Sequence, residues 1–250
     1  MEISTVNAEK QIDIKYDDDL LDLLIQASNE DIAPLIDYIT DCGKGRVSLS
    51  KENCKALINA RTQGTYTPLV LRTLIRELQH FGGNSLVNLF RSNGVSYSEI
   101  VFDVADHLSV KRSDGESLPD IERNILGKLW KLTVSGTSAA DRKALIHSLE
   151  KQRNLTGTPE ELRAAFNLGP GSISITAASL LSNALAANTL GSGATAGLTA
   201  VAGRGGATAL GPIGLALSGV WATYSLTAQA YRITMPCVVQ IALIRLKQMH

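Results

Sequence analysis

The side chains best suited to chemistry are a run of carboxylates, scattered histidines and cysteines, a glycine cluster and one polar stretch. Asp17, Asp18 and Asp19 could bind a cation. Oxygen-ligand sites, however, draw carboxylates from alternating positions around a glycine turn. Three consecutive acids ahead of Leu20, Leu21, Leu23, Leu24 and Ile25 fit a helix cap and its dipole better. His80, His107, His147 and His250 lie far apart with no HExxH or CxxC spacing, so neither a metal nor a cofactor is expected. Cys42 has no neighbouring feature that would lower its pKa. Gly191, Gly193 and Gly197 lie in GSGATAG, but no lysine follows and no strand precedes, so helix packing or a turn explains them. The most distinctive polar stretch runs from Glu77 to Ser85. It has the order of a helix end, a glycine turn at Gly82-Gly83 and an Asn84/Ser85 cap. As a site, Glu77, Gln79, His80 and Asn84 would line a patch for a partner. Catalysis needs a nucleophile and an oriented base, and the sequence offers no such pair, so no catalytic residue is assigned and a non-enzyme is expected. An undetected site at His80 is the competing reading.

The elements that must position these residues are helical. Ser96 with Glu99, Ser138 with Asp141 and Thr158-Pro159 with Glu161 are start signals. Asp17, Asn29 and Thr67-Pro68 are three more, and Asp41-Cys42-Gly43 is a stop. No alternating run has a hairpin partner. The reading is all-α, with about seven or eight short helices between residues 15 and 165. Residues 1–165 form a soluble helical bundle, with a short N-terminal segment at 15–45 inside it, and residues 170–250 form an apolar region rich in glycine and alanine.

Charge separates the two parts. The 250 residues carry no net charge, which argues against a nucleic-acid partner. Yet the last acid is Glu161, and beyond it the formally charged side chains are Arg163, Arg204, Arg232, Arg245 and Lys247. Three scattered cysteines fit a reducing compartment, and the N-terminus lacks the pattern of a secretory signal, so a cytoplasmic place is expected. The uncharged stretches 164–203 and 205–231 are long enough to span a bilayer, the first only marginally apolar. Small residues recur four apart, as in Gly193/Gly197 and Gly214/Ser218, with Gly211 four after Ala207. That spacing lets backbones approach and suits a homo-oligomer as well as a hairpin. Arg204-Gly205-Gly206 is the expected turn of an apolar hairpin, followed by a C-terminal apolar helix. In composition this resembles the buried hairpin of pore-forming bacteriocins. Tyr231 and Arg232 suit a membrane edge, with Pro236 beyond. If the region stays within protein, Arg232 needs a carboxylate from the first 161 residues, because the tail has none.

Two stretches, IRELQHFGGNSLVNLFRSNG at 75–94 and AYRITMPCVVQIALIRL at 230–246, resemble the YaaW-like family of bacterial proteins. The segment 17–24 is similar to that family's short N-terminal domain. At superfamily level the resemblance implies kinship with ubiquinol–cytochrome c chaperones, hence an all-helical fold and a chaperone-like role. Glu77, Gln79, His80, Gly82 and Gly83 carry over as signature positions without a role. The expected function is therefore non-enzymatic: an apolar C-terminal hairpin that engages a membrane or membrane protein, as a latent membrane-perturbing factor. The alternative is an assembly factor or chaperone for a membrane-protein subunit. Either places the chain in the cytoplasm, at or in the inner membrane.

Overall fold

The computed structural model describes residues 12–46, 49–83, 94–150, 158–169, 172–190, 216 and 231–250. The described helices, in chain order, begin with α1 (Asp18–Ile25), α2 (Asn29–Thr40), α3 (Lys51–Gln63) and α4 (Pro68–Gly83). Then come α5 (Tyr97–His107), α6 (Leu118–Ser135), α7 (Ala139–Glu150), α8 (Pro159–Phe166), α9 (Ile175–Leu190) and α10 (Tyr231–Gln248). Polar caps start several of them. Ser96 accepts from the Glu99 N–H, and Thr158 and Glu161 satisfy each other's backbone donors in a full capping box. Two start signals work differently from what their local pattern suggests. The cap of α2 is Ser28, one residue before Asn29, and Asn29 instead donates to the Gly64 carbonyl at 2.6 Å. Asp17 precedes α1 but makes no side-chain cap bond to it. Among the described residues there is no strand.

The helices gather around α10. From Ile233 to Ile244 every residue of it is buried, and α1, α2, α4, α5, α6 and α9 all pack against it. A helix that is apolar on all sides needs apolar neighbours on all sides. Each fully buried aliphatic side chain stabilises this arrangement by about 1.5–3 kcal/mol relative to exposure. Leu20 and Leu24 of α1, Leu74 and Leu78 of α4, and Cys237 and Ile241 of α10 meet around one small void. α9 presents Ala177, Ala178 and Ala184, all fully buried, and lies alongside α10. α8 is tied to α6 by the Trp130 indole N–H, which donates to the Ala165 carbonyl at 2.8 Å, and by the Trp130–Phe166 ring contact.

These contacts overturn the membrane reading. Among the described residues, no helix is long and apolar enough to cross a membrane. α10 turns its apolar surface into the bundle, where neither a bilayer nor a membrane-protein subunit can reach it. Among the described residues nothing supports the expected membrane hairpin, the pore-forming role, the membrane or membrane-protein partner or the place at the inner membrane. The physical cause is length: the apolar run of α10 from Ile233 to Ile244 falls short of the roughly 20 apolar residues a spanning helix needs, so it is enclosed as a core helix. Small residues on α9 serve close packing within the chain, whereas the four-apart pairs on which a homo-oligomer was expected lie outside the described residues. Gly193, Gly197, Arg204, Gly211 and Gly214 lie outside the described residues. Ala216, in the more apolar of the two uncharged stretches, sits against Gly136 at the end of α6.

Gly82 marks a tight crossing in the N-terminal helices. A Cβ there would lie 2.5 Å from Ile100 Cγ1 and 2.9 Å from Val95 Cγ2. Gly82→Ala should therefore cost about 1–3 kcal/mol through overpacking. In a thermal melt followed by circular dichroism this lowers Tm by roughly 2–4 °C per kcal/mol for a chain of this size. Gly169→Ala, where a Cβ meets nothing within 4 Å, should leave Tm unchanged. Equal melts for wild type and both variants would show that the α4–α5 crossing has room to spare.

Candidate functional site

The signature stretch occupies the last turns of α4, and two of its polar residues point inward. Glu77 and Gln79 are buried. The Asn53 amide donates to Glu77 Oε1 at 2.6 Å, joining α3 to α4. Gln79 Nε2 donates to the Ile14 carbonyl and to Asp17 Oδ2, each at 2.6 Å. Asp17 Oδ2 also accepts the Tyr97 backbone N–H at 2.7 Å. That N–H belongs to the first residue of α5 and has no partner within its helix, so Asp17 anchors a helix distant in sequence instead of capping its own. Burial pushes the Asp17 carboxyl above its ordinary range, and the bonds from Gln79 and Tyr97 oppose the shift. Gly94 completes the crossing at φ +70, where a Cβ would press on the Gln79 carbonyl at 3.0 Å. His80 is half-buried beside Gly94, Gly83 is the last residue of α4, and Asn84 lies outside the described residues. The stretch brings Gln79 and Gly82 into one joint that docks residues 12–17 and 94–97 on α4, while Glu77 ties α4 to α3.

A second polar cluster holds α10 in the bundle. Glu122, 1% exposed, accepts the Tyr97 hydroxyl at 2.7 Å through one oxygen and Arg245 Nε at 2.6 Å through the other. Burial pushes the Glu122 carboxyl up, against the pull of Arg245. Burial also opposes the Arg245 charge, but the carboxylate outweighs it and the guanidinium sits above its ordinary value. Burial raises the Tyr97 phenol too, keeping it a donor. At the same end, Lys247 Nζ meets Asp31 Oδ1 at 2.6 Å, and Gln240 bridges Ser182 Oγ to the Asp31 carbonyl. The acid-free tail thus takes its carboxylates from the first 161 residues, as shielded cations must, but it does so through Arg245 and Lys247. Arg232 is exposed, so the buried partner expected for it is not required. Tyr231 stacks on His107 at 4.0 Å between ring centroids, and its phenol is raised to about 12, first by burial and then by Asp103. Pro236 is buried within α10.

Neither cluster is open to a substrate. Among the described residues no group of three or more His, Cys, Asp and Glu side chains could hold a metal. Burial, followed by Asp37 and Asp41, pushes the Cys42 thiol up and away from the reactive thiolate. The open space lies elsewhere, in a cavity of about 870 Å³ between α7 and α8. Ala140, Ala144, Ile146 and Phe166 supply its apolar wall, Arg142, Lys143 and Arg163 supply positive charge, and His147 adds an imidazole. Arg142 is fixed in place: its Nε donates to the Thr137 carbonyl at 3.0 Å and Nη2 to the Val134 carbonyl at 2.6 Å. Sequence reasoning missed this cleft. The available signal was a helix with several exposed alanines and basic residues at Lys143 and His147, four apart on one face.

The buried charges can be tested one pair at a time. Arg245→Met leaves Glu122 uncompensated and should cost about 3–5 kcal/mol in urea denaturation. Adding Glu122→Gln should recover part of that loss, whereas strictly additive effects would show that the two side chains are not coupled. Asp17 gives a pH signature. Its folded pKa is raised, so its contribution is fully present below the unfolded carboxylate pKa and is lost as pH rises through the folded value. The stability of Asp17→Asn relative to wild type should accordingly improve from about pH 4 to about pH 7, the range that begins where carboxylates titrate. An Asn variant that loses ground to wild type as pH rises would contradict burial as the dominant influence on Asp17.

No family model matches the chain, and no solved structure matches it. Curated relatives do. A UPF0174 protein of Helicobacter pylori strain ATCC 700392 / 26695 is 36% identical over 184 residues, covering 70% of this chain and 88% of the relative. A UPF0174 protein of Helicobacter pylori strain J99 is 29% identical over 237 residues, covering 93% and 92%. The UPF0174 protein YaaW of Escherichia coli strain K12 is 29% identical over 227 residues, covering 90% and 92%. With similarity of this degree running along most of the chain, this protein belongs to the UPF0174 family.

Proposed function

We propose that this protein acts by binding and not by catalysis, and that the cleft between α7 and α8 is where it binds. The observation that carries this reading is the chemistry of the cleft wall. Among the described residues its lining has four basic side chains, one amide and an apolar wall, but no hydroxyl, thiol or carboxylate. A nucleophile with its base, or an acid paired with a base, is what turnover would need. Three carboxyl groups elsewhere, Glu77, Glu122 and Asp17, are buried and held by Asn53, by Tyr97 with Arg245, and by Gln79. Their bonds fix helices to one another. A cavity of 870 Å³ with an apolar wall and a few convergent polar groups is of the size and character of ligand sites in general.

The test is incubation of the purified protein with a metabolite extract, followed over time by untargeted mass spectrometry. The expected result is retention of one or more compounds on the protein with no compound consumed. Time-dependent depletion of a metabolite that stops on heat denaturation of the protein would overturn the reading.

A further inference from the structure

We infer that the α7–α8 cleft takes an amphipathic organic anion: a carboxylate or phosphate head on an extended apolar chain. The inference rests on the binding role just proposed and adds the chemical class of the ligand. Every ionisable side chain among the described lining residues is a base. Arg163 is engaged by Glu160 at 3.6 Å, so the charge argument rests on Arg142 and Lys143. Arg142 uses two of the five N–H groups of a guanidinium to hold the Val134 and Thr137 carbonyls at the end of α6. Those bonds orient the fork before any ligand arrives, and a planar fork meets a carboxylate or phosphate through paired bonds. Lys143, one residue on and exposed, adds a second cation on the same rim.

The rest of the wall decides what hangs from the head. Ala140, Ala144, Ile146 and Phe166 offer carbon surface and no hydrogen-bonding group. Among the described lining residues Asn167 is the one uncharged polar side chain. A sugar or a nucleobase, whose many polar atoms would lose water without gaining partners, fits poorly here. A peptide strand needs a ladder of main-chain partners, and a wall made of helices supplies none. An apolar chain loses nothing on entering, and exposed alanines gain cover.

The probe is sodium dodecanoate, titrated into the full-length chain by isothermal calorimetry below its micellar concentration, with dodecyl phosphate beside it. Dodecyltrimethylammonium has the same chain with the opposite charge and serves as the control. Both anions should bind about one per chain with micromolar Kd, and the cation at least about ten-fold more weakly. Lys143→Glu, an exposed change that leaves folding intact, should weaken dodecanoate at least about ten-fold. Ala140→Trp, which fills the cleft, should abolish binding while circular dichroism shows unchanged helix content. If Ala140→Trp unfolds the chain, Lys143→Glu decides alone. Equal affinity for the anion and the cation, or dodecanoate binding indifferent to Lys143→Glu, overturns the inference. No dodecanoate binding and no turnover in the metabolite extract overturns the ligand class and leaves the binding role standing. Turnover in the extract overturns the binding role itself.

Discussion

A helix with no polar face has to be enclosed, and the packing of this protein follows from that constraint on α10. Burial from Ile233 to Ile244 leaves no side that can face water, so α1, α2, α4, α5, α6 and α9 have to approach it. Two features let the bundle draw close. Alanines on α9 allow that helix to lie alongside, and Gly82 lets α4 and α5 cross without a Cβ between them. A helix near the end of the sequence is thus the centre of the fold, and the earlier helices have unburied apolar faces until it arrives. Contacts between α10 and α1 or α2 span most of the chain, so the core closes through non-local contacts.

Apolar burial alone would not define how α10 is rotated or how far it is inserted. Polar bonds at fixed positions do that. Arg245 reaches Glu122, Lys247 reaches Asp31, and Gln248 Nε2 reaches the Leu23 carbonyl at 3.0 Å. All of these lie in the last turns of α10, and Gln240 adds a tie earlier in the helix. Desolvating Glu122 and Arg245 costs several kcal/mol, and their attraction does little more than offset it. The pair therefore contributes to register more than to net stability: a slip or rotation of α10 would leave Glu122 buried and unpaired. The same logic governs Asp17, whose carboxylate is buried only in the arrangement that brings Gln79 and the start of α5 together.

Helices, caps and the charge split were legible in the sequence because each rests on local chemistry. Ser96 with Glu99 and Thr158 with Glu161 act within one turn, so no distant contact has to be known to read them. The absence of acids after Glu161 implied that shielded cations in the tail must borrow carboxylates from earlier in the chain. Which cations do so was not legible, because Arg232 and Arg245 differ only in where α10 points them. The surroundings of α10 were legible only in part: its apolar run is too short to span a bilayer, but which helices enclose it depends on non-local packing. Asp17 looked like a cap for the helix beside it and proved to be a tether for α5. A local pattern cannot reveal a long-range bond that uses the same residue type.

The two kinds of polar region in this protein differ in a way that bears on function. Around Gln79 and Glu122, polar atoms face each other across helix joints, and each removed partner would strand another in the core. Changing one such residue alone strands its partner, so their place in the signature has a structural explanation that needs no ligand. The α7–α8 cleft has the opposite character. α7 packs chiefly on α8, its alanines are exposed, and its cations sit on a rim where water can be displaced. Local stability is lowest where buried contacts are fewest, and binding surfaces are drawn from such regions. Arg142 reconciles the two demands: bonds to Val134 and Thr137 hold it to the end of α6, while its place in the cleft wall keeps the charge at the open space. A cation fixed by backbone carbonyls does not have to be ordered again by its ligand, which is the condition under which one charge can contribute to affinity at a solvent-exposed rim.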